Sequence, residues 1–292
     1  MTMRQRARWR PWTPAAVLKR ATIYGLLTGF ALLMLLPLIW MVSASLKPGY
    51  EVFQFPPQWI PHPVQWGNYP RALTYVPFLP FFLNTVRLII FVLIGTLVSN
   101  VLVAYAFARL ESRWKRPLFY LVLATMMLPF AVTMIPQYAI FTKLGWVSTY
   151  LPLIVPSYFG SPFFIFLLRQ FFMGIPHDIE DAAAIDGAGI FRTIYRIILP
   201  MSWPAMVTVC IFTIQGTWND FLGPLIYLNH EYQFTMQLGL QFFVGQALAG
   251  GMVGYWNLLM AASTVVLVPI LVMFFFGQRY FSAGINVGGL KR

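Results

Sequence analysis

The side chains best able to do chemistry sit in one polar stretch, Ile175 to Pro200, where Asp178, Glu180, Asp181 and Asp186 precede Gly187 and Arg192 and Arg196 follow it. Their spacing suits helix ends and docking. Asp178 is positioned to cap a first short helix, Glu180 and Asp181 fall in its first turn, where the helix dipole favours negative charge, and Gly187 supplies a left-handed stop. A second helix is expected from about Ile190, with Phe191, Ile194, Tyr195 and Ile198 at helical spacing and the two arginines on another face. The run Ala182-Ala183-Ala184 keeps the first helix slim enough to enter a partner's groove.

Signatures of catalysis are missing elsewhere. No Gly-x-x-x-x-Gly-Lys-Ser/Thr phosphate loop occurs, so ATP hydrolysis would have to come from a partner. Neither a Gly-x-Ser-x-Gly elbow nor an HExxH motif is present, which argues against a membrane hydrolase. His62, His177 and His230 lie in separate polar loops without metal-ligand spacing, so no metal site is expected. Cys210, the single cysteine, lies in an apolar run and reads as packing.

The elements that must position this loop are membrane spans. Of 292 residues, 59% are hydrophobic and only 10% charged, more apolar surface than a soluble domain of this size could bury. At 1.5 Å per residue, about 20 apolar residues cross a hydrocarbon core of about 30 Å. Six runs qualify: Ala21 to Val42, Asn84 to Ala108, Leu118 to Pro136, Tyr150 to Leu168, Met201 to Leu222 and Trp256 to Phe276. Pro129, Pro152, Pro156 and Pro162 predict kinks within them. The first run is too long for a cleaved secretion signal and is expected to remain as a span.

Six spans put both termini on one side. That side carries Arg4, Arg6, Arg8, Arg10, Lys19 and Arg20, then Arg109, Arg113, Lys115 and Arg116, then Arg169, Arg192 and Arg196, and finally Arg279, Lys291 and Arg292. Only Lys47, Arg71 and Lys143 fall on the other, so the positive-inside rule makes the termini and the Ile175 to Pro200 loop cytoplasmic. Trp40, Tyr150, Trp218, Tyr255 and Trp256 then gather at the outer interface, where amphipathic rings are favoured. The net charge of +12 is thereby explained by topology, and no nucleic-acid partner is expected. No internal repeat or soluble domain is evident. The outward stretch Ser43 to Pro80, rich in proline with Trp59 and Trp66, offers a stiff aromatic surface. Among polar residues in the spans, Arg87 can snorkel to the outer interface, while Asn219 and Asp220 are candidates for a substrate path.

The cytoplasmic loop resembles that of the permease subunits of ATP-binding-cassette importers, which bear Glu-Ala-Ala, three residues, Gly, nine residues, Ile, one residue, Leu-Pro. Asp181, Ala182 and Ala183 take the first three places, Gly187 the glycine, and Ile197, Leu199 and Pro200 the end. Asp181 stands where the family usually has glutamate, with Glu180 beside it. Further stretches look like the carbohydrate-uptake branch, in particular the second permease of maltose-type importers: Ser45-Leu-Lys47, Phe55-Pro-Pro57 leading to Asn68-Tyr69, Met127-Leu-Pro129, Ile135-Pro-Gln-Tyr138, Leu167 to Phe172, Trp218-Asn-Asp220, and the tail from Gln278 to Lys291.

The resemblance implies an all-α fold of six transmembrane helices with cytoplasmic coupling helices. Its divisions would be a cytoplasmic segment at 1–20, the first helix and its outward loop at 21–80, a five-helix core at 81–277 with the coupling loop 175–200, and a cytoplasmic tail at 278–292. Implied partners are a second permease, two cytoplasmic ATPase subunits that bind ATP and Mg, and an extracytoplasmic solute-binding protein, all at a prokaryotic cytoplasmic (inner) membrane. ATPase coupling would fall to Glu180, Asp181, Ala182, Ala183, Asp186, Gly187, Ile197, Leu199 and Pro200. The chain itself would be no enzyme and hold no cofactor, lining a path for a sugar or polyol. A rival reading is a secondary transporter driven by an ion gradient, which needs buried carboxylates or broken helices at the bilayer midplane, and of the carboxylates only Asp220 comes near.

Overall fold

The computed structural model describes residues 14–249 and 255–286, all helical or irregular, with no strand among them. The arginines at positions 4, 6, 8 and 10 and the end of the tail from Gly288 lie outside the described residues.

Four helical stretches are long and apolar enough to cross a membrane: Val17–Ser45 in helix α1 (Pro14–Ser45), α3 (Phe78–Arg109), Leu151–Met173, and Trp256–Gln278 in helix α14 (Trp256–Asn286). Two further pairs qualify only if each bent pair is one span. α4 (Lys115–Thr125) and α5 (Phe130–Lys143) meet at 96°, and the helical run Ile190–Met201 meets α11 (Trp203–Asn219) at 84°. The count among the described residues is therefore four, and reaches the expected six only if each bent pair is one span.

The kinks fall where proline removes a backbone donor. Pro129 is the residue ahead of α5. The stretch 151–173 is itself broken into α6 (Leu151–Ile154), a 3-10 turn (Val155–Phe159) and α7 (Pro162–Met173), with Gly160 at φ +85°. Such a break leaves backbone groups without helical partners, and α3 supplies replacements. Asn100, fully buried, accepts from the Ser161 N–H at 2.7 Å through Oδ1, and the Ser99 hydroxyl donates to the Ser157 carbonyl at 3.0 Å. Gly95 lets α3 and the 3-10 turn touch: a Cβ there would come within 2.5 Å of Ser157 Oγ and the Tyr158 ring.

At about 48 Å for 32 residues, α3 exceeds the hydrocarbon thickness and spans the whole body. One half of it enters an apolar cluster with α2 (Asn68–Tyr75), α13 (Met236–Ala249), α14 and the end of α11, built on Phe78, Phe81, Trp218, Phe243 and Ala262. Its other half enters a second cluster with α7 and the start of α11, through Val101, Ala104, Tyr105, Leu168, Phe172 and Val209. Each cluster lies at one end of the molecule. Sequence reading missed α13, whose contact with α3 is so close that a Cβ on Gly239 would meet the Phe81 ring at 2.1 Å.

α1 stands apart, with no residue of its apolar window buried and its packing made along α14. Its end is tied down by polar groups. Asn68 Nδ2 donates to the carbonyls of Ser45 and Lys47, both at 2.8 Å, and Asn257 Nδ2 donates to the Lys47 carbonyl at 3.0 Å. The Lys47 side chain is fully buried, bonded to the Gln58 carbonyl and 4.1 Å from the centre of the Trp40 ring. Ser45-Leu-Lys47 and Asn68-Tyr69, which looked like separate family stretches, thus form one joint.

Candidate functional site

Loop 175–200 forms the two helices its sequence predicts. The first, α8 (His177–Ile185), ends in a full Schellman arrangement: Gly187 N–H donates to the Ala184 carbonyl at 3.0 Å, and Ala188 N–H to Ala183 at 2.9 Å, with Gly187 at φ +77°. That satisfies carbonyls the helix end would otherwise leave open. The second run comprises α9 (Ile190–Thr193), a π turn (Ile194–Ile198) and α10 (Leu199–Met201).

Three expectations for this loop need correction. Pro176, not Asp178, occupies the position before α8, and no side chain caps it; Asp178 lies inside the first turn, too far along to reach its own helix end. Glu180 turns inward. Its Oε1 lies 2.6 Å from Arg109 Nε and its Oε2 accepts from the Tyr105 hydroxyl at 2.9 Å, so it anchors α8 to α3. Finally, the stripe Phe191, Ile194, Tyr195, Ile198 does not stay on one side. Ile194 and Ile198 pack with Phe172 and Ile175, whereas Phe191 and Tyr195 are 76% and 74% exposed.

The two faces of the loop are therefore distinct. Toward the body point Ile179, Glu180 and Ala183, with Ile197 and Leu199 half-buried. Away from it are Asp181, Ala182, Asp186, Gly187 and Pro200, together with Ile185 at 87% exposure, Phe191 and Tyr195. Nothing lies within 4 Å of where a Gly187 Cβ would stand. Large apolar side chains left exposed beside small residues and carboxylates are the kind of patch that interaction sites present.

Asn219 and Asp220 lie at the other end of α11. Both line a cavity of about 500 Å³ with Phe130, Gln137 and Tyr227, and Asp220 also borders a second cavity of about 220 Å³ near Thr217 and Thr235. Asp220 Oδ1 accepts from Gly223 N–H at 3.1 Å at the start of α12 (Leu222–Tyr227). This approach needs the glycine, since a Cβ would fall 2.5 Å from Asp220 Oδ2. Arg87 is exposed on α3. Trp40, Tyr150, Trp218, Tyr255 and Trp256 share this end with α2, α13 and the α1 joint, through ring contacts such as Phe82 with Trp218 at 6.0 Å and Phe53 with Trp256 at 5.5 Å.

Sequence reading did not find Arg109 as a site residue, nor Ser99 and Asn100. The latter pair carried a signal, two adjacent polar residues inside an apolar run. Arg109 carried none beyond its charge, because its partners lie more than sixty positions away.

Residues 100–287 match the family described as the binding-protein-dependent transport system inner membrane component. The arabinooligosaccharides transport system permease protein AraQ of Halalkalibacterium halodurans is 32% identical over 264 residues, 89% of this chain and 92% of that protein. The diacetylchitobiose uptake system permease protein NgcG of Streptomyces coelicolor is 29% identical over 277 residues, 93% and 89% of the two chains. In fold the chain is similar to a subunit of a bacterial ABC transporter involved in the import of the acidic polysaccharide alginate, with a TM-score of 0.82 at 23% identity over 93% of this chain and 99% of that one. Matched by its family across more than half its length, and by relatives nearly end to end, the chain belongs to the binding-protein-dependent transport system inner membrane components and is a non-catalytic permease subunit of an ATP-binding-cassette importer.

Proposed function

We propose that this permease lines half of a path for a sugar or related polyol and couples that path, through loop 175–200, to two cytoplasmic ATPase subunits that bind ATP and Mg. One observation carries the reading: Ile185, Phe191 and Tyr195 stand exposed beside Asp181, Ala182 and the Gly187 stop, a surface that none of the described residues covers. An ATPase can shift the permease only by contacting its two states differently, and this surface supplies such contacts. Lysines and arginines flanking the same end favour a cytoplasmic side, and with it cytoplasmic termini.

The solute class follows the relatives, named for arabinooligosaccharide and diacetylchitobiose uptake. Asn219, Asp220 and Gln137 beside Phe130 and Tyr227 offer hydrogen-bonding groups and ring faces, which suit a polyhydroxylated solute. The family's dependence on a binding protein supports delivery from an extracytoplasmic solute-binding subunit to that end, with a second permease completing the path. In domain terms, 81–277 forms the working core, to which 21–80 adds the first helix and outward loop, with 1–20 and 278–292 as cytoplasmic ends.

The test is Phe191→Glu and Tyr195→Glu in the co-expressed importer. Both side chains are exposed, so the chain should reach the membrane at parental levels while ATPase subunits no longer co-purify. Retention of the ATPases by both variants would remove the loop from the coupling surface.

A further inference from the structure

We infer that Arg109 is the positioning residue through which displacement of the coupling loop reaches α3, with Glu180 and Tyr105 completing the joint. The inference rests on the reading of loop 175–200 as the ATPase surface, and concerns what lies behind that surface.

Arg109 is the last residue of α3, and its side chain is 4% exposed. Its guanidinium meets different parts of the chain, by hydrogen bonds at Nη1 and Nη2 and by an ion pair at Nε. Nη2 donates to the carbonyls of Phe172 at 2.7 Å and Ile175 at 2.6 Å, where α7 ends and the loop begins. Nη1 bonds His177 Nε2 at 2.9 Å, at the start of α8. Nε faces Glu180 Oε1 at 2.6 Å, and the other oxygen of that carboxylate is held by Tyr105, one turn back along α3. The terminal carbonyls of α7 carry partial negative charge, so a fixed cation is favoured there. A planar fork with several donors can satisfy carbonyls and carboxylate at once; a lysine ammonium cannot reproduce that geometry.

A reciprocal strap runs beside it. Arg169 on α7 donates through Nε to the Phe107 carbonyl of α3 at 3.1 Å, and its guanidinium lies 4.3 Å from the centre of the Phe119 ring of α4. The ends of α3 and α7 are thus bound to each other twice over, and α8 is hooked onto that pair by Glu180 alone among the loop's acidic residues; Asp178, Asp181 and Asp186 are exposed. Since α3 runs from this joint to the cluster around Phe81, near the cavities bordered by Asp220, a push on α8 is delivered to the helix that reaches the solute end.

The experiment reconstitutes the complete importer with Glu180→Gln, Arg109→Lys or Tyr105→Phe and reads two quantities, ATPase subunits retained and solute taken up per ATP hydrolysed. Expected are parental ATPase retention and continued hydrolysis, with uptake per ATP reduced about two- to thirtyfold in Glu180→Gln and Arg109→Lys, and less in Tyr105→Phe, which keeps the ion pair. A merely structural role would lower the ATPase subunits retained, through loss of assembled complex, and leave uptake per ATP hydrolysed at the parental value. Parental uptake per ATP in Glu180→Gln overturns the joint, as does loss of the ATPases from that variant, which would move Glu180 to the docking face. If Arg109→Lys fails to accumulate, Glu180→Gln decides alone, because it removes charge without removing volume. Failure of the underlying reading looks different: the Phe191→Glu and Tyr195→Glu importers would keep their ATPases.

Discussion

Replacing Gly187 separates backbone strain from contact with a partner. In the left-handed region, at φ +77°, a Cβ costs about 1–2 kcal/mol, and that term is the same in kind for Gly187→Ala and Gly187→Leu. Apart from its chain neighbours, none of the described residues comes within 4 Å of the Cβ position, so the leucine adds no clash with them. The two variants should therefore melt alike in detergent, to within about 0.5 kcal/mol as for exposed sites. Gly187→Asn should melt closer to the parent, since asparagine tolerates this conformation. Against an ATPase groove the leucine would be overpacked by about 1–3 kcal/mol, on the order of tenfold or more in affinity. Titrating purified ATPase onto reconstituted permease measures this directly. Equal affinities for the Ala and Leu variants would refute the reasoning, because strain alone would then account for both.

Asn100→Leu should leave the Ser161 N–H without its acceptor and destabilise the break in the fourth span by about 1–3 kcal/mol; hydrogen exchange should accelerate at 157–162 and remain slow in α14. Lys47→Met removes the buried ammonium that donates to the Gln58 carbonyl, with a loss of about 1.5–3 kcal/mol in the detergent melt, as for a hydrogen bond from a charged group. Faster exchange confined to 46–66 is expected, and an unchanged melt would show the lysine to be dispensable.

Length and apolarity alone identify α1, α3 and α14, because a run too apolar for water and long enough for a bilayer has few other solutions. Proline likewise marks the breaks at Pro129 and Pro156, but the 96° between α4 and α5 depends on what the bent segment packs against, which no local pattern encodes. At 14 residues α13 is too short to register as a span, and its place is fixed by Phe81 accepting Gly239. Within the coupling loop, the glycine stop was legible because its backbone conformation restricts residue type. The facing of Glu180 was not, since its partners Arg109 and Tyr105 lie 71 and 75 positions away. Phe191 and Tyr195 were misjudged because helical spacing groups residues into a stripe without saying where the boundary of packing crosses it.

The joint at the end of α1 bears on how the chain is built during synthesis. Its Lys47 carbonyl is held by Asn257, 210 positions later, on α14, the helix along which α1 packs. While most of the polypeptide is still emerging, the first span has only lipid, other proteins and the Asn68 clasp to hold it. Final seating of α1 must await synthesis of α14, so truncation before Trp256 should release α1 while the α3–α7–α11 body persists.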